Sequence, residues 1–294
     1  MADKSHALRP TTTQSNVPTI ATIGHNTSIF DDLYHRVLRW PWWAFFAALV
    51  VLFLSLNLVF AAIYRLSPHA VSNVNDFEDA FYFSVQTLAT IGYGIMAPQT
   101  RFAHIVVVAE ALVGILSVAL VTGATFAKFA RPTARVLFSK KAVVYNRDGV
   151  PHLMFRMANW RGNSVVEAQL RPIMLVTETT AEGERMRRPV ELTLVRDRSA
   201  VFQLSWTAMH RIDAQSPFYG ADAIAKLRAQ DAEIFVSLSG LDVTIGQTIH
   251  ARYRYGLDDI EWDARFVDVF SVRGDGKRVL DYTNFHEVQR APKT

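Results

Sequence analysis

From Pro41 to Tyr64 the chain carries no charged residue, and between Arg101 and Lys128 the only acidic or basic side chain besides His104 is Glu110. A helix rises about 1.5 Å per residue, so the first run reaches about 36 Å, enough for a hydrocarbon core of about 30 Å. Two membrane spans are therefore predicted, at about 41–64 and 102–130. Trp40, Trp42 and Trp43 stand at the entrance to the first, where aromatic residues anchor spans at the lipid–water boundary. Between the spans, residues 76–89 have helical character but are too few to cross a bilayer. They predict a re-entrant helix, with Asn75 as its cap and Glu78 three residues on. Upstream, Ile29, Leu33, Val37 and Leu38 fall on one helical face, with Ser28 placed to cap and Asp31 and Asp32 in the first turn. This predicts a helix over 29–39 lying in the membrane interface. Residues 1–28 are polar, lack the apolar core of a signal peptide, and read as a tail.

After Pro132, which ends the second span, long apolar runs give way to short β-rich ones. Strands are predicted at Ala142–Tyr145, His152–Ala158, Ser164–Thr179, Leu192–Val195, Val201–Ile212, Glu233–Leu238, Gln247–Tyr255 and Arg265–Val272. Arg147-Asp148-Gly149 and Gly274-Asp275-Gly276 mark hairpin turns, and Ala221–Ala229 is one helical interruption. Strands at this spacing predict a β-sandwich over 132–290, with 291–294 as a tail. The cluster Arg185-Met186-Arg187-Arg188 reads as a solvated loop, and His210, His250 and His286 as isolated histidines rather than metal ligands.

Composition sharpens this division. The 294 residues allow two units, and half of them are hydrophobic. The net charge of +4 sits wholly in residues 131–294, where Lys and Arg number 24 and Asp and Glu 20. So mild an excess does not suggest a nucleic-acid binder. The absence of cysteine excludes disulfides and thiolate sites. No nucleophile elbow, phosphate loop or carboxylate pair argues for an enzyme. Arg36 and Arg39 precede the first span; Lys128, Arg131, Arg135, Lys140 and Lys141 follow the core of the second; no Lys or Arg lies between Leu66 and Thr100. Positive residues stay on the cytoplasmic side, so both termini are expected there.

One stretch between the spans stands apart: Thr90, Ile91, Gly92, Tyr93 and Gly94. Rings of four Thr-Val-Gly-Tyr-Gly loops select potassium by replacing the ion's water with backbone carbonyl oxygens; here Ile stands for Val. Gly92 and Gly94 can take positive φ at little cost. Thr90 can add a hydroxyl oxygen, while Ile91 and Tyr93 point away and brace the loop. K+ is then expected at Thr90, Ile91, Gly92 and Tyr93, with no other cofactor, and a quarter-ring per chain implies a homotetramer. Thr87 and Glu110 are candidates for support behind the filter; an intramembrane acid calls for a named partner. Val118, Thr122 and Phe126 share one helical face, as cavity and hydrophobic gate or as plain helix packing. Gly114 and Gly123 permit bending or close packing. The competing reading is a membrane-anchored receptor whose β-sandwich binds a ligand, but an anchor has no need of a filter.

Ordered motifs carry a resemblance over about residues 29–290. They are Phe129-Ala-Arg-Pro132, Val136-Leu-Phe-Ser139, Asn159-Trp-Arg161, Val166-Glu-Ala168, Ser216-Pro-Phe-Tyr219, Ala251-Arg252 with Tyr255, Trp262 with Arg265-Phe266, and Asp281-Tyr with Phe285-His286. With the filter, they make the chain similar to the prokaryotic inward-rectifier potassium channels, the KirBac group. The resemblance implies a multi-pass protein of the inner (plasma) membrane, an immunoglobulin-like cytoplasmic domain under a helical pore module, and gating by anionic phospholipids. It also implies a lipid site at Arg39, Trp40, Lys128 and Arg131, with Arg135 extending the same basic run. Glu167 matches a vestibule acid, and Val243–Gln247 falls where the family has a cytoplasmic constriction loop. Departures matter too. Thr133, Ala134 and Pro41 replace basic residues of eukaryotic members. Val118 is apolar where strong rectifiers carry an acid, so polyamines are expected to be weak blockers. Gln86 and Met96 replace a Glu–Arg pair behind the eukaryotic filter, so this filter is expected to be braced otherwise.

Overall fold

The computed structural model describes residues 33–272, 274 and 278–291. The expected tail 1–28, residues 29–32 of the interfacial helix with the Ser28 cap, the end of the chain past 291 and the centre of the Gly274–Gly276 turn lie outside the described residues. The chain divides between Arg131 and Pro132 into two compact units.

The first unit is helical: α1 Leu33–Arg39, α2 Trp42–Tyr64, α3 Phe77–Leu88 and α4 Arg101–Phe129. At 23 and 29 residues, α2 and α4 are long and apolar enough to cross a membrane. The cap of α3 is Asp76, not Asn75: its carboxylate accepts the Asp79 N–H at 2.8 Å, and the Asp79 carboxylate accepts the Asn75 N–H at 2.9 Å. A carboxylate is the stronger acceptor for the orphan N–H groups of a first turn, which moves the start by one residue. Thr100 caps α4 through the Ala103 N–H at 3.1 Å. Where α4 meets the end of α3, a Cβ on Gly114 would lie 2.6 Å from the Leu88 carbonyl oxygen. Only glycine allows that approach, as at small-residue contacts between membrane helices. Phe60, Tyr64, Phe83, Ala103 and Val106 form the small apolar core beside it.

The second unit is a β-sandwich. Its strands are β1 Val136–Phe138, β2 Ala142–Arg147, β3 Val150–Asn159, β4 Val165–Thr179, β5 Arg185–Glu191, β6 Arg198–Phe202 and β7 Ser205–Arg211. After α5 Ala223–Ala229 come β8 Glu233–Asp242, β9 Gln247–Gly256, β10 Ile260–Trp262, β11 Ala264–Phe266, β12 Phe270–Val272, β13 Arg278–Leu280 and β14 Val288–Arg290. One five-stranded sheet contains β1, β2, β3, β7 and β10; the other contains β4, β5, β6, β8 and β9. Leu153, Phe155 and Met157 of β3 share one core with Leu170 and Met174 of β4 and Ile234 and Leu238 of β8.

Several strand expectations change here. The Arg185–Arg188 cluster is not a loop but part of β5, paired with Thr179–Val176 of β4. Arg187 reaches Glu233 at 3.0 Å and Arg188 reaches Glu178 at 3.2 Å, so charge marks an edge strand. Leu192–Val195 forms only an isolated bridge, Leu194 to His210. The single strand expected over Val201–Ile212 breaks at Gln203–Leu204; β6 pairs with β4 and β7 with β3, so the chain changes sheets there. Arg265–Val272 likewise splits into β11 and β12.

β3 is buried on both faces from His152 onward. Its second face carries Arg156, covered by the segment that follows β11. The guanidinium donates to the carbonyls of Val267 at 2.7 Å, Asn284 at 2.8 Å and Phe285 at 2.8 Å, and lies against the rings of Phe266 and Phe285. Burial pushes it down to about 10 from an ordinary 12.5. His286 accepts the Lys140 N–H at 3.3 Å; burial, then the charges of Lys140 and Arg156, push the imidazole down to about 4. His210 is buried with both ring nitrogens engaged, by the Thr193 carbonyl at 2.7 Å and the Ser216 hydroxyl at 2.8 Å, and burial lowers its pKa.

Candidate functional site: the loop between α3 and α4

Residues 89–100 leave the end of α3 and return to the start of α4. In this loop Thr90, Gly92 and Gly94 take positive φ, at 57°, 58° and 84°. Two are glycines, which adopt such angles freely. Thr90 is β-branched, and an L-residue there stores strain that its surroundings must hold.

What holds it is Gln86, in the last turn of α3. Its backbone carbonyl accepts the N–H of Ile91 at 2.8 Å and of Gly92 at 3.2 Å, and its side-chain oxygen accepts the N–H of Tyr93 at 3.3 Å. Three consecutive N–H groups thus face one residue. Every peptide here is trans. In a planar trans peptide the carbonyl points opposite to the N–H. The carbonyl oxygens of Thr90, Ile91 and Gly92 are therefore turned together, away from α3. The Gln86 amide nitrogen also donates to Met96 Sδ at 3.3 Å. In place of a Glu–Arg ion pair, the two positions meet through this neutral contact, and Gln86 holds the loop by hydrogen bonds. A Gln ending an amphipathic helix four residues before Thr90 was the available signal.

Further contacts pin the loop's far side to residues 70–73. Ser72 N–H donates to the Ala97 carbonyl and Gln99 N–H to the Ala70 carbonyl, both at 2.8 Å, and the Asn73 amide donates to the Ile95 carbonyl at 2.8 Å. Thr87 acts only through its backbone. Its carbonyl accepts the Thr90 N–H at 3.1 Å, while its hydroxyl stays within the helix on the Phe83 carbonyl at 2.8 Å. Ile91 and Tyr93 are exposed on the protomer. Glu110 is fully buried; Tyr64 donates to it at 2.6 Å, and the Ser84 hydroxyl bonds its other oxygen. The Ser84 hydroxyl also lies 3.0 Å from the Asn57 side-chain oxygen, and the Asn57 amide donates to the Phe53 carbonyl at 2.7 Å. One polar cluster thus ties α2, α3 and α4 together. Asn57, the one strongly polar residue inside the first apolar run, was legible as a candidate for such a bond; Tyr64 and Ser84 could be recognised only once Glu110 had a fold around it.

Val118, Thr122 and Phe126 form an exposed stripe on α4, with Phe126 at 74 %. Arg39 and Arg131 are exposed, and the Arg131 guanidinium donates to the Leu38 carbonyl at 2.8 Å. Arg135 is exposed at the start of the sandwich. Lys128 departs from the expected lipid-facing position. It is 8 % exposed, and its ammonium donates to the carbonyls of Leu38 at 3.1 Å and Trp40 at 2.5 Å. Carbonyls at the end of a helix attract a cation that its long stem can deliver. In the sandwich, a β-bulge between Val166 and Gln169 gives Glu167 a φ of 52° and leaves it exposed. Beside it, the Val243 N–H donates to the Ser164 carbonyl at 3.2 Å, so the turn from Val243 to Gly246 starts at the same end of β4.

Comparison with known proteins covers both units. Residues 136–294 match the family described as Inward rectifier potassium channel C-terminal domain. Residues 51–131 match the family described as Ion channel. The chain is 42 % identical over 260 residues to Inward rectifier potassium channel Kirbac3.1 of Paramagnetospirillum magnetotacticum, covering 88 % of each. It is 36 % identical over 231 residues to G protein-activated inward rectifier potassium channel 3 of Mus musculus, covering 76 % of this chain and 58 % of that one. It is 31 % identical over 296 residues to G protein-activated inward rectifier potassium channel 1 of Bos taurus, covering 92 % of this chain and 58 % of that one. The chain thus spans less than two thirds of these mammalian relatives. With two apolar spans, a loop of three like-turned carbonyls between them and a β-sandwich behind, the chain belongs to the inward rectifier potassium channel family.

Proposed function

We propose that this protein conducts K+ passively through a selectivity filter at Thr90–Gly94, assembled from four copies. The observation that carries the reading is the hold of Gln86 on the N–H groups of Ile91, Gly92 and Tyr93. Carbonyls turned the same way can replace the water shell of a potassium ion once four chains close a ring. A single chain supplies too few oxygens, and its exposed Ile91, Tyr93 and Phe126 gain partners in a tetramer. The buried Glu110 cluster supports the filter from behind by fixing α3 between α2 and α4. Neither group needs to touch the ion.

Gating belongs in this reading at the inner end of α4. A ring of four Phe126 side chains closes the mouth by dewetting, and anionic lipid at Arg39, Trp40, Arg131 and Arg135 biases the helix, provided it binds the two states unequally. Glu167 concentrates cations in a vestibule beneath, and apolar Val118 leaves polyamines only a weak hold. The chain then lies in the plasma membrane with both termini inside. Liposomes loaded with the purified protein test the reading. Potassium or rubidium uptake is expected to exceed sodium uptake strongly. Equal uptake, or none under any lipid composition, would remove it. Phe126→Ala is expected to raise flux and weaken its lipid dependence; if both stay unchanged, the gate passes to the turn Val243–Gln247.

A further inference from the structure

The basic residue nearest the end of α4 is not placed to meet a lipid. A lysine ammonium has three N–H donors and no acceptor. In Lys128 two of them are spent on backbone carbonyls, those of Leu38 and Trp40. The same ammonium sits 5.1 Å from the ring centre of Trp42 and 5.5 Å from that of Phe45, where aromatic faces attract a cation. Trp42 in turn packs on Phe129, with ring centres 4.5 Å apart. The ammonium is therefore enclosed by the end of α1, the start of α2 and the last turn of α4. The Leu38 carbonyl also takes the Arg131 guanidinium, so one cation in the last turn of α4 and one just past it meet the same open carbonyl of α1.

We propose that Lys128 is a positioning residue that latches the interfacial helix to the inner helix, and that it is not a lipid ligand. Lys128 lies two residues from Phe126, so a displacement of α1 reaches the gate side chain through this latch. Lipid recognition then falls to exposed cations such as Arg39, which act on α4 only while the latch is closed. The flux arm of this inference rests on the channel reading above. Its structural arm does not.

The chain has no cysteine, so Arg36→Cys on the exposed side of α1 gives one site for a nitroxide label. The labelled full-length protein is placed in liposomes of neutral lipid with increasing fractions of an anionic phospholipid. Lys128→Met is expected to raise label mobility at every composition and to reduce the size of the lipid response of K+ flux without shifting its half-effective anionic fraction. Arg39→Gln is expected to shift that fraction by about fivefold, which corresponds to one headgroup–cation contact, while leaving label mobility unchanged. Lys128→Ala, which leaves both carbonyls without a donor, gives the same readout if the methionine variant fails to assemble. Unchanged label mobility in the Lys128 variant overturns the latch. A lipid shift as large as that of Arg39→Gln overturns the claim that Lys128 is no lipid ligand. If the wild type carries no selective flux, the channel reading fails, and label mobility still decides the latch.

Discussion

The two units of this chain are packed inside out relative to each other. In the sandwich, Leu153, Phe155, Met157, Leu170 and Met174 are buried. In the helical unit, much of the apolar surface of α2 and α4 is exposed, while Asn57, Ser84, Gln86, Glu110 and Lys128 are buried. The difference follows from the solvent. Water drives apolar side chains together, whereas lipid tails are as apolar as leucine and leave polar contacts and close packing to hold helices. The loop between α3 and α4 and its hold by Gln86 are thus built from backbone polarity. The sandwich shows the exception that clarifies the rule. Arg156 is buried there too, but its role is to satisfy carbonyls of a covering segment, not to orient any toward a ligand.

If the helical unit works through its backbone, the largest effect should come from the smallest change there. Gly92 has φ +58°, and a Cβ would meet nothing within 4 Å, so Gly92→Ala adds no clash, only backbone strain. That strain is roughly 1–2 kcal/mol per chain, repeated in each copy of the ring. K+-selective uptake is expected to vanish while gel filtration shows the assembly intact. Normal selectivity would break the assignment of these carbonyls.

The sandwich should respond in the opposite way, in stability rather than selectivity. Arg156→Met strands carbonyls of Val267, Asn284 and Phe285, and each buried orphan costs about 1–3 kcal/mol. A loss of at least about 3 kcal/mol is expected in denaturant unfolding of the full chain, followed by tryptophan fluorescence. The K+ to Na+ ratio of the folded fraction should not move. A changed ratio would mean the two units are not separable in this sense.

A milder test returns to the loop. Gln86→Leu removes the side-chain acceptor of the Tyr93 N–H but keeps both bonds to the Gln86 backbone carbonyl. One neutral hydrogen bond is worth about 1 kcal/mol, so selectivity should fall several-fold without disappearing. No change would leave the bracing to the backbone carbonyl alone.

The smallest effect expected is a pH dependence confined to the sandwich. His286 is held at about 4 against an ordinary 6.5, and His210 is lowered as well. A base whose folded pKa is depressed binds protons more readily when unfolded. Its contribution is complete above about pH 6.5 and is lost as pH falls toward the folded value. Unfolding midpoints should drop between pH 6.5 and about 4 for the wild type. His286→Gln should flatten that slope, and an identical slope in the variant would exclude His286 as its source.

Both apolar helices, the short helix between them and a β-rich second half were legible in the sequence. Their signals are local or compositional: charge-free runs of fixed length, a short amphipathic stretch, alternating short strands. The misreadings share the opposite property. Nothing in the run Val201–Ile212 marks the break at Gln203, because both halves suit a strand and only the facing sheet decides where each one pairs. The arginines of β5 look like a loop because an edge strand with charged side chains has a loop's composition.

What the sequence determined by itself is therefore the kind of molecule: two membrane-length helices flanking glycines that permit a carbonyl-lined turn, then a sandwich. The tertiary structure alone decided which polar groups do the holding. Ser84 and Tyr64 are ordinary residues until the helices bring them to Glu110, and Gln86 and Asn57 have no assigned partners until α3 stands beside the loop and α2. Lys128 looks like one more positive residue at a membrane face until its ammonium is seen closed over by Leu38, Trp40 and Trp42. The partners of Ser84, Tyr64 and Lys128 lie 26 to 90 positions away in the chain. No periodicity links such positions, and their pairing is fixed only when burial leaves a polar group no alternative partner.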